Sequence, residues 1–172
     1  MTRESLGARA LAVALRELAA GVKEEPPGSN GGPVDKYFAD LEFFRGLQRI
    51  NVSRTKWCAA AACWCEEQAA EVGDLRTIAR VSGIELERDA TANGRAYGTF
   101  NLEREPPTIG DLAIFFAGPQ GWKWARHVAR VEYVEGDQFT TIGGNENDGW
   151  RRSRWPLDTR QLSTFVRVGR GS

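Results

Sequence analysis

A cysteine, a histidine and an asparagine in this chain stand where covalent chemistry could use them. Ser53 to Ala70 is rich in alanine and carries neither Gly nor Pro, which predicts a helix. With Thr55 as N-cap, Cys58 takes the N3 position of that helix. A thiolate there meets unpaired backbone N–H groups and the positive end of the helix dipole, and both favour the ionised nucleophile. His127 is the chain's single histidine and can act as the base that such a thiol needs. Asn145 follows in a polar turn, where an amide oxygen could hold an imidazole in the useful tautomer.

Each of these residues also has a plainer reading. Cys63 and Cys65 are expected as buried fillers of an Ala-rich helix, and Cys58 alone would be open to the same reading. Cys58 and Cys65 would lie about 10 Å apart along one helix face, beyond disulfide reach. Three cysteines and one histidine lack paired zinc spacing, so no metal and no cofactor is expected. Taken alone, His127 reads as a satisfied structural histidine; the cysteine at a helix start gives the catalytic reading its weight. Asn145 and Asn147 equally suit turn positions with positive φ. The Asn/Asp cluster lacks the regular ligand spacing of an EF-hand.

The elements that must position these residues can be read coarsely. Residues 4–20 predict an amphipathic helix, with Leu6, Ala10 and Val13 near helical spacing and Gly21 ending it. Residues 24–33 are a breaker-rich loop, and Pro33 can open a short helix to Leu41. After the cysteine helix, Asp74 to Val81 predicts a further short helix ended by Gly83, followed by a weakly patterned connector. From Gly110 the period becomes that of strands: 111–116, then 125–134, then a turn at 135–138 and a strand to Ile142. Alternation in the second strand sets His127, Ala129, Val131 and Tyr133 on one face, with Arg126, Arg130 and Glu132 opposite. Residues 149–155 and 162–168 predict two closing strands, with Arg151, Arg152 and Arg154 as solvated sheet-edge charge.

These residues carry a resemblance. Trp57-Cys58-Ala59-Ala60 followed by Trp64-Cys65 resembles the active-site helix of the CHAP amidase/peptidases, relatives of the NlpC/P60 cysteine peptidases that cut peptidoglycan. The Glu25-to-Pro33 segment resembles a loop that lies near the cleft in one CHAP-like subfamily, and Pro107 to Asp111 resembles the family's turn into its first core strand. His127-Val128 is similar to the family's His-Val-Gly, with Ala129 in place of the glycine. Where the family often has Ile-Glu-Gly-Asn, this chain has Ile142-Gly143-Gly144-Asn145, so Gly143 stands at the usual acidic position. The resemblance spans residues 25–155. It implies an α+β, papain-like fold, with N-terminal helices and the Cys58 helix packed on an antiparallel β-sheet.

The resemblance also implies a peptidoglycan hydrolase, an endopeptidase or an N-acetylmuramoyl-L-alanine amidase, using Cys58, His127 and Asn145. Asn30 and Trp57 are expected near the substrate, as are Trp122 and Trp124, aromatic rings in a loop before the His127 strand. The 172 residues suit one domain, 1–172, and 23 basic against 23 acidic residues give no case for nucleic acid. Arg9, Arg16 and Glu17 interrupt the apolar N-terminal pattern, so neither a secretory signal nor membrane insertion is read there. A phage endolysin released through a holin pore, or an antibacterial effector delivered by a secretion machine, would then reach the bacterial wall. A cysteine acyltransferase or deubiquitinase-like enzyme, and a non-catalytic binding protein on the same fold, are the competing expectations.

Overall fold

A computed structural model describes residues 4–39, 56–74, 80, 82–98, 105–117 and 126–169. Helix α1, Leu6–Ala19, begins where the Ser5 side chain accepts a hydrogen bond from the Ala8 N–H at 3.2 Å. Leu6, Ala10, Val13 and Ala14 turn its apolar side inward, and Gly21, at φ 64°, lets the chain leave. A single 3-10 turn, Gly32–Val34, and the short helix α2, Lys36–Ala39, occupy the start of the helix expected from Pro33. The remainder of that expected segment lies outside the described residues.

Helix α3, Cys58–Ala69, is the central helix. Its N-cap is Trp57, so Cys58 is its first residue and not its third, as a Thr55 cap would require. Thr55 itself lies outside the described residues. Every residue from Cys58 to Glu66 is buried, because α1, α2 and the sheet all pack against this helix. Small alanines make that close approach possible on several sides, which explains why the helix has no polar stripe.

Helix α4, Gly83–Ala92, corrects the sequence reading, which made Gly83 the end of a helix. Gly83, Leu86 and Ala90 form its buried side. A Cβ on Gly83 would come within 2.7 Å of the Arg126 Cβ, so the glycine allows α4 to start directly against a strand. Most of the expected helix over residues 74–81 lies outside the described residues.

Among the described residues, six strands form one antiparallel sheet: β1 Ala96–Tyr97, β2 Leu112–Phe116, β3 Arg126–Glu135, β4 Gln138–Glu146, β5 Gly149–Pro156 and β6 Leu162–Val166. Their spatial order is β1-β6-β2-β3-β4-β5. Leu112, Ile114, Val128, Ile142 and Val166 join the helices in one core. Tyr97, Phe115, Phe139 and Phe165 build a second cluster with Ala129 and Val131. The fold is therefore α+β, with the cysteine helix on an antiparallel sheet, as the sequence led one to expect.

Two details of β3 depart from simple alternation. A register shift between Val131 and Tyr133 breaks the pattern, and Tyr133 is exposed while Ala129 and Val131 stay buried. Arg130, read as lying opposite the His127 face, is 2% exposed and pairs with the buried Glu66 of α3 at 3.1 Å. Arg130 also donates to the carbonyls of Ala62 and Gly110, at 2.9 and 2.7 Å. The helix-facing side of the strand is covered, so a charge there is held by fixed acceptors in place of water.

Candidate active site

Cys58 and His127 meet although they come from distant parts of the chain. Cys58 opens α3, and His127 is the second residue of β3. The thiol and the imidazole share a hydrogen bond. Burial pushes the Cys58 thiol upward, but the hydrogen bond and charge of His127, with backbone hydrogen bonds from Val128 and Ala59, bring it below its ordinary value of 9.0. For His127, burial acts downward; hydrogen bonds to Cys58 and Glu146 and their negative charges outweigh it and raise the imidazole to about 10. These opposite shifts favour a thiolate beside an imidazolium.

The third partner is Glu146, not Asn145. His127 Nε2 donates to Glu146 Oε1 at 3.0 Å, leaving Nδ1 as the nitrogen available to the sulfur. Asn145 adopts φ 61°, and its Nδ2 is buried with no hydrogen-bond partner among the described residues. The assignment of Asn145 as the residue that holds the imidazole is therefore corrected.

The physical reason lies in the end of β4. Gly143 pairs with Arg151 and Glu146 with Gly149, so β4 contains one extra residue between them. In an uninterrupted strand, residues three apart point to opposite faces. The extra residue reverses that parity and returns Glu146 to the side on which Gly143 faces His127. Asn145 supplies the left-handed backbone conformation, while Asn147 and Asp148, at φ 54° and 63°, form the two-residue hairpin turn that follows. Asn-rich turn chemistry was legible; the carboxylate turned back by it was not.

The other expected site residues fall elsewhere. Trp57 is fully buried, stacks on Tyr37 at 5.2 Å and donates its indole N–H to Glu24 Oε1 at 2.7 Å. Asn30 is 7% exposed, and its backbone N–H donates to Glu24 Oε2 at 3.0 Å. Neither is a cleft wall: both belong to a buried post beneath the start of α3, which corrects their reading as substrate contacts. Glu24, which sequence reading passed over, joins them and also donates its backbone N–H to the Asp148 carbonyl at 2.8 Å. The loop thus ties the N-cap residue of the Cys58 helix to the β4–β5 turn. A carboxylate beside a Pro-Pro-Gly loop was the available signal. Trp122 and Trp124 lie outside the described residues.

Cys63 and Cys65 are buried and unbridged, as expected of packing residues. The Cys63 thiol faces the Arg80 carbonyl at 3.9 Å. Burial pushes Cys65 up to about 12, only partly offset by the nearby Arg130 charge. Among the described residues, no group of acidic, cysteine or histidine side chains could hold a metal ion.

Comparison with known proteins places the chain in a family. The CHAP domain model matches residues 50–145, more than half of the 172-residue chain. No curated protein matches. Among solved structures, the chain is similar to Ly7917, with 22% identity and a TM-score of 0.45 over 65% of this chain and 53% of that one. It is also similar to a protein described as similar to a lipoprotein of the NLP/P60 family, from Staphylococcus aureus subsp. aureus Mu50, with 17% identity and a TM-score of 0.44 over 99% of this chain. The chain spans about half the length of the first structure and 43% of the second. The family match encloses both Cys58 and His127 and ends one residue before Glu146. The chain belongs to the CHAP-domain family.

Proposed function

We propose that this chain is a cysteine-dependent peptidoglycan hydrolase that cuts a peptide bond or the N-acetylmuramoyl-L-alanine amide bond, with Cys58 as nucleophile and His127 as base and acid. The observation that carries the reading is the Cys58–His127–Glu146 chain of hydrogen bonds. The Cys58 thiolate attacks the carbonyl carbon, and the oxyanion forms near the backbone N–H groups at the start of α3. As the tetrahedral intermediate collapses, the C–N bond breaks and His127 gives its proton to the departing amine. Neutral His127 then takes a proton from water as that water attacks the thioester, which releases a carboxylic acid and restores the thiol. Glu146 keeps the imidazole oriented through both halves of the reaction.

Purified walls treated with the chain, followed by mass analysis of the released fragments, test this reading. Wild type is expected to release fragments with new amine and carboxyl ends, identifying which bond is cut, and Cys58→Ala to release none. Intact walls after wild-type treatment, or equal release by Cys58→Ala, would remove it. Walls from several bacteria extend the assay to the target, and hence to a lysin released from within or an effector delivered from outside. Native alkylation tests the nucleophile separately. Cys58 is expected to react much faster than Cys65, whose thiol burial holds at about 12. Equal labelling, resolved by peptide mapping, would count against an activated Cys58.

A further inference from the structure

Glu146 reaches His127 through a gap that another residue keeps open. A Cβ on Gly143 would sit 2.3 Å from Glu146 Oε1, 3.0 Å from His127 Nε2 and 3.1 Å from the Ala129 Cβ. The first is a direct overlap with the oxygen that holds the imidazole, and the other two are tight contacts that the neighbours would have to relieve by a few tenths of an ångström. Gly143 has no positive φ, so its reason is space and not backbone conformation. The other oxygen of the same carboxylate is also held: Ser153 Oγ–H donates to Glu146 Oε2 at 2.7 Å. Ser153 belongs to β5 and pairs with Thr141 across the β4–β5 ladder. It interrupts a run of arginines whose members at 151, 152 and 154 are exposed, while Ser153 itself is half-buried.

We propose that Gly143 and Ser153 are positioning residues for the Cys58–His127 pair, the glycine keeping free the space for the Glu146 carboxylate and the serine fixing its rotation. One oxygen of the Glu146 carboxylate is taken by His127, and a second anchor on the other oxygen holds the group's rotation. The serine hydroxyl supplies that anchor from the neighbouring strand. Gly143, Glu146 and Ser153 therefore act as one unit, and loss of any of the three weakens the imidazolium that stabilises the thiolate. The charged groups acting on His127 are Cys58 from α3 and Glu146 from β4; from β2 it meets the uncharged ring of Phe115 at 6.3 Å. This inference rests on the reading of Cys58 and His127 as the reacting pair.

The test is the pH dependence of iodoacetamide alkylation at Cys58, resolved by peptide mapping, in wild type and in Glu146→Gln, Ser153→Ala, Ser153→Thr, Gly143→Ala and Gly143→Ala/Glu146→Gln. Weakening the imidazolium raises the Cys58 pKa, so Ser153→Ala, Gly143→Ala and Glu146→Gln are each expected to move the acid limb of the profile to higher pH. On that limb alkylation should slow by about threefold or more. Ser153→Thr retains the hydroxyl and should restore the wild-type profile. The double variant should be no worse than Glu146→Gln alone, because both changes remove one interaction. An unmoved profile in Ser153→Ala, failure of Ser153→Thr to restore it, or additive losses in the double variant would overturn the proposal. If circular dichroism shows that Gly143→Ala is unfolded, the serine pair decides the matter. Walls left intact by a wild type that shows these shifts would sink the hydrolase reading and leave this unit standing; walls digested with no shift in any variant would do the reverse.

Discussion

Asn145 and Glu146 are neighbours with different work, and their substitutions separate backbone conformation from chemistry. Asn145 sits in the left-handed region, where a residue with a Cβ is strained by about 1–2 kcal/mol, and its amide nitrogen holds nothing among the described residues. Asn145→Gly is therefore expected to keep both the fold and nearly full turnover. Glu146→Gln keeps the side-chain shape but loses the negative charge beside the imidazole, and turnover should fall by about tenfold or more. Kinetics on one wall substrate compare the two; the opposite ranking would restore the amide to the site. The pH profile follows from the same residues. His127 gains stability from its partners that is fully present below its ordinary 6.5 and is lost as pH rises through about 10. Cys58, lowered from 9.0, contributes stability above that value and loses it as pH falls through its folded pKa. The charged pair thus spans the interval between the Cys58 value and about 10, and kcat/KM should hold a plateau there with its alkaline limb near about 10. An alkaline limb near the ordinary histidine value would show that His127 lacks these partners during turnover.

At the scale of elements, the Cys58 helix is fixed to the sheet by a buried ion pair that periodicity hid. Arg130 alternates with apolar neighbours along β3, and on an open sheet such a residue would meet water; the covering helix places Glu66 against it instead. Arg130→Met takes the guanidinium away from the buried Glu66 charge, at a cost of about 3–5 kcal/mol, or a melting temperature lowered by roughly 6–20 °C. The combined Arg130→Met/Glu66→Leu should recover most of the loss, since two buried charges disappear together. Thermal melts of wild type and the two variants measure this, and an unchanged single variant would mean that the pair contributes nothing. The β4 bulge was hidden for a related reason. Sequence alternation reads a strand as unbroken, and one inserted residue reverses the facing of everything beyond it. The Gly143-Gly144-Asn145 stretch signals a turn or bulge but does not say which later side chain returns. Gly144 adds its own constraint, since a Cβ there would meet the Trp57 ring at 2.3 Å.

At the scale of the molecule, α1 and the strands around His127 were legible from their local periods and the cysteine helix from its alanine run, whereas α4 and β1 were not. Their mutual placement required contacts distant in sequence: Glu24 with Trp57, Arg130 with Glu66, and Cys58 with His127. Trp57 shows the limit most clearly, because a tryptophan next to Cys58 reads as a substrate contact until its burial beneath Gly144 is seen. Among the described residues no helix is long and apolar enough to cross a membrane. The fold brings one polar chain of groups, Cys58 to His127 to Glu146 to Ser153, together from α3, β3, β4 and β5. Digestion of purified peptidoglycan by wild type and by folded Cys58→Ala, followed through the appearance of new amine ends, tests whether that chain of groups does hydrolytic work. Wild type should release them steadily and Cys58→Ala should not exceed the buffer control; release by the alanine variant at the wild-type rate would contradict the assignment of Cys58 as nucleophile.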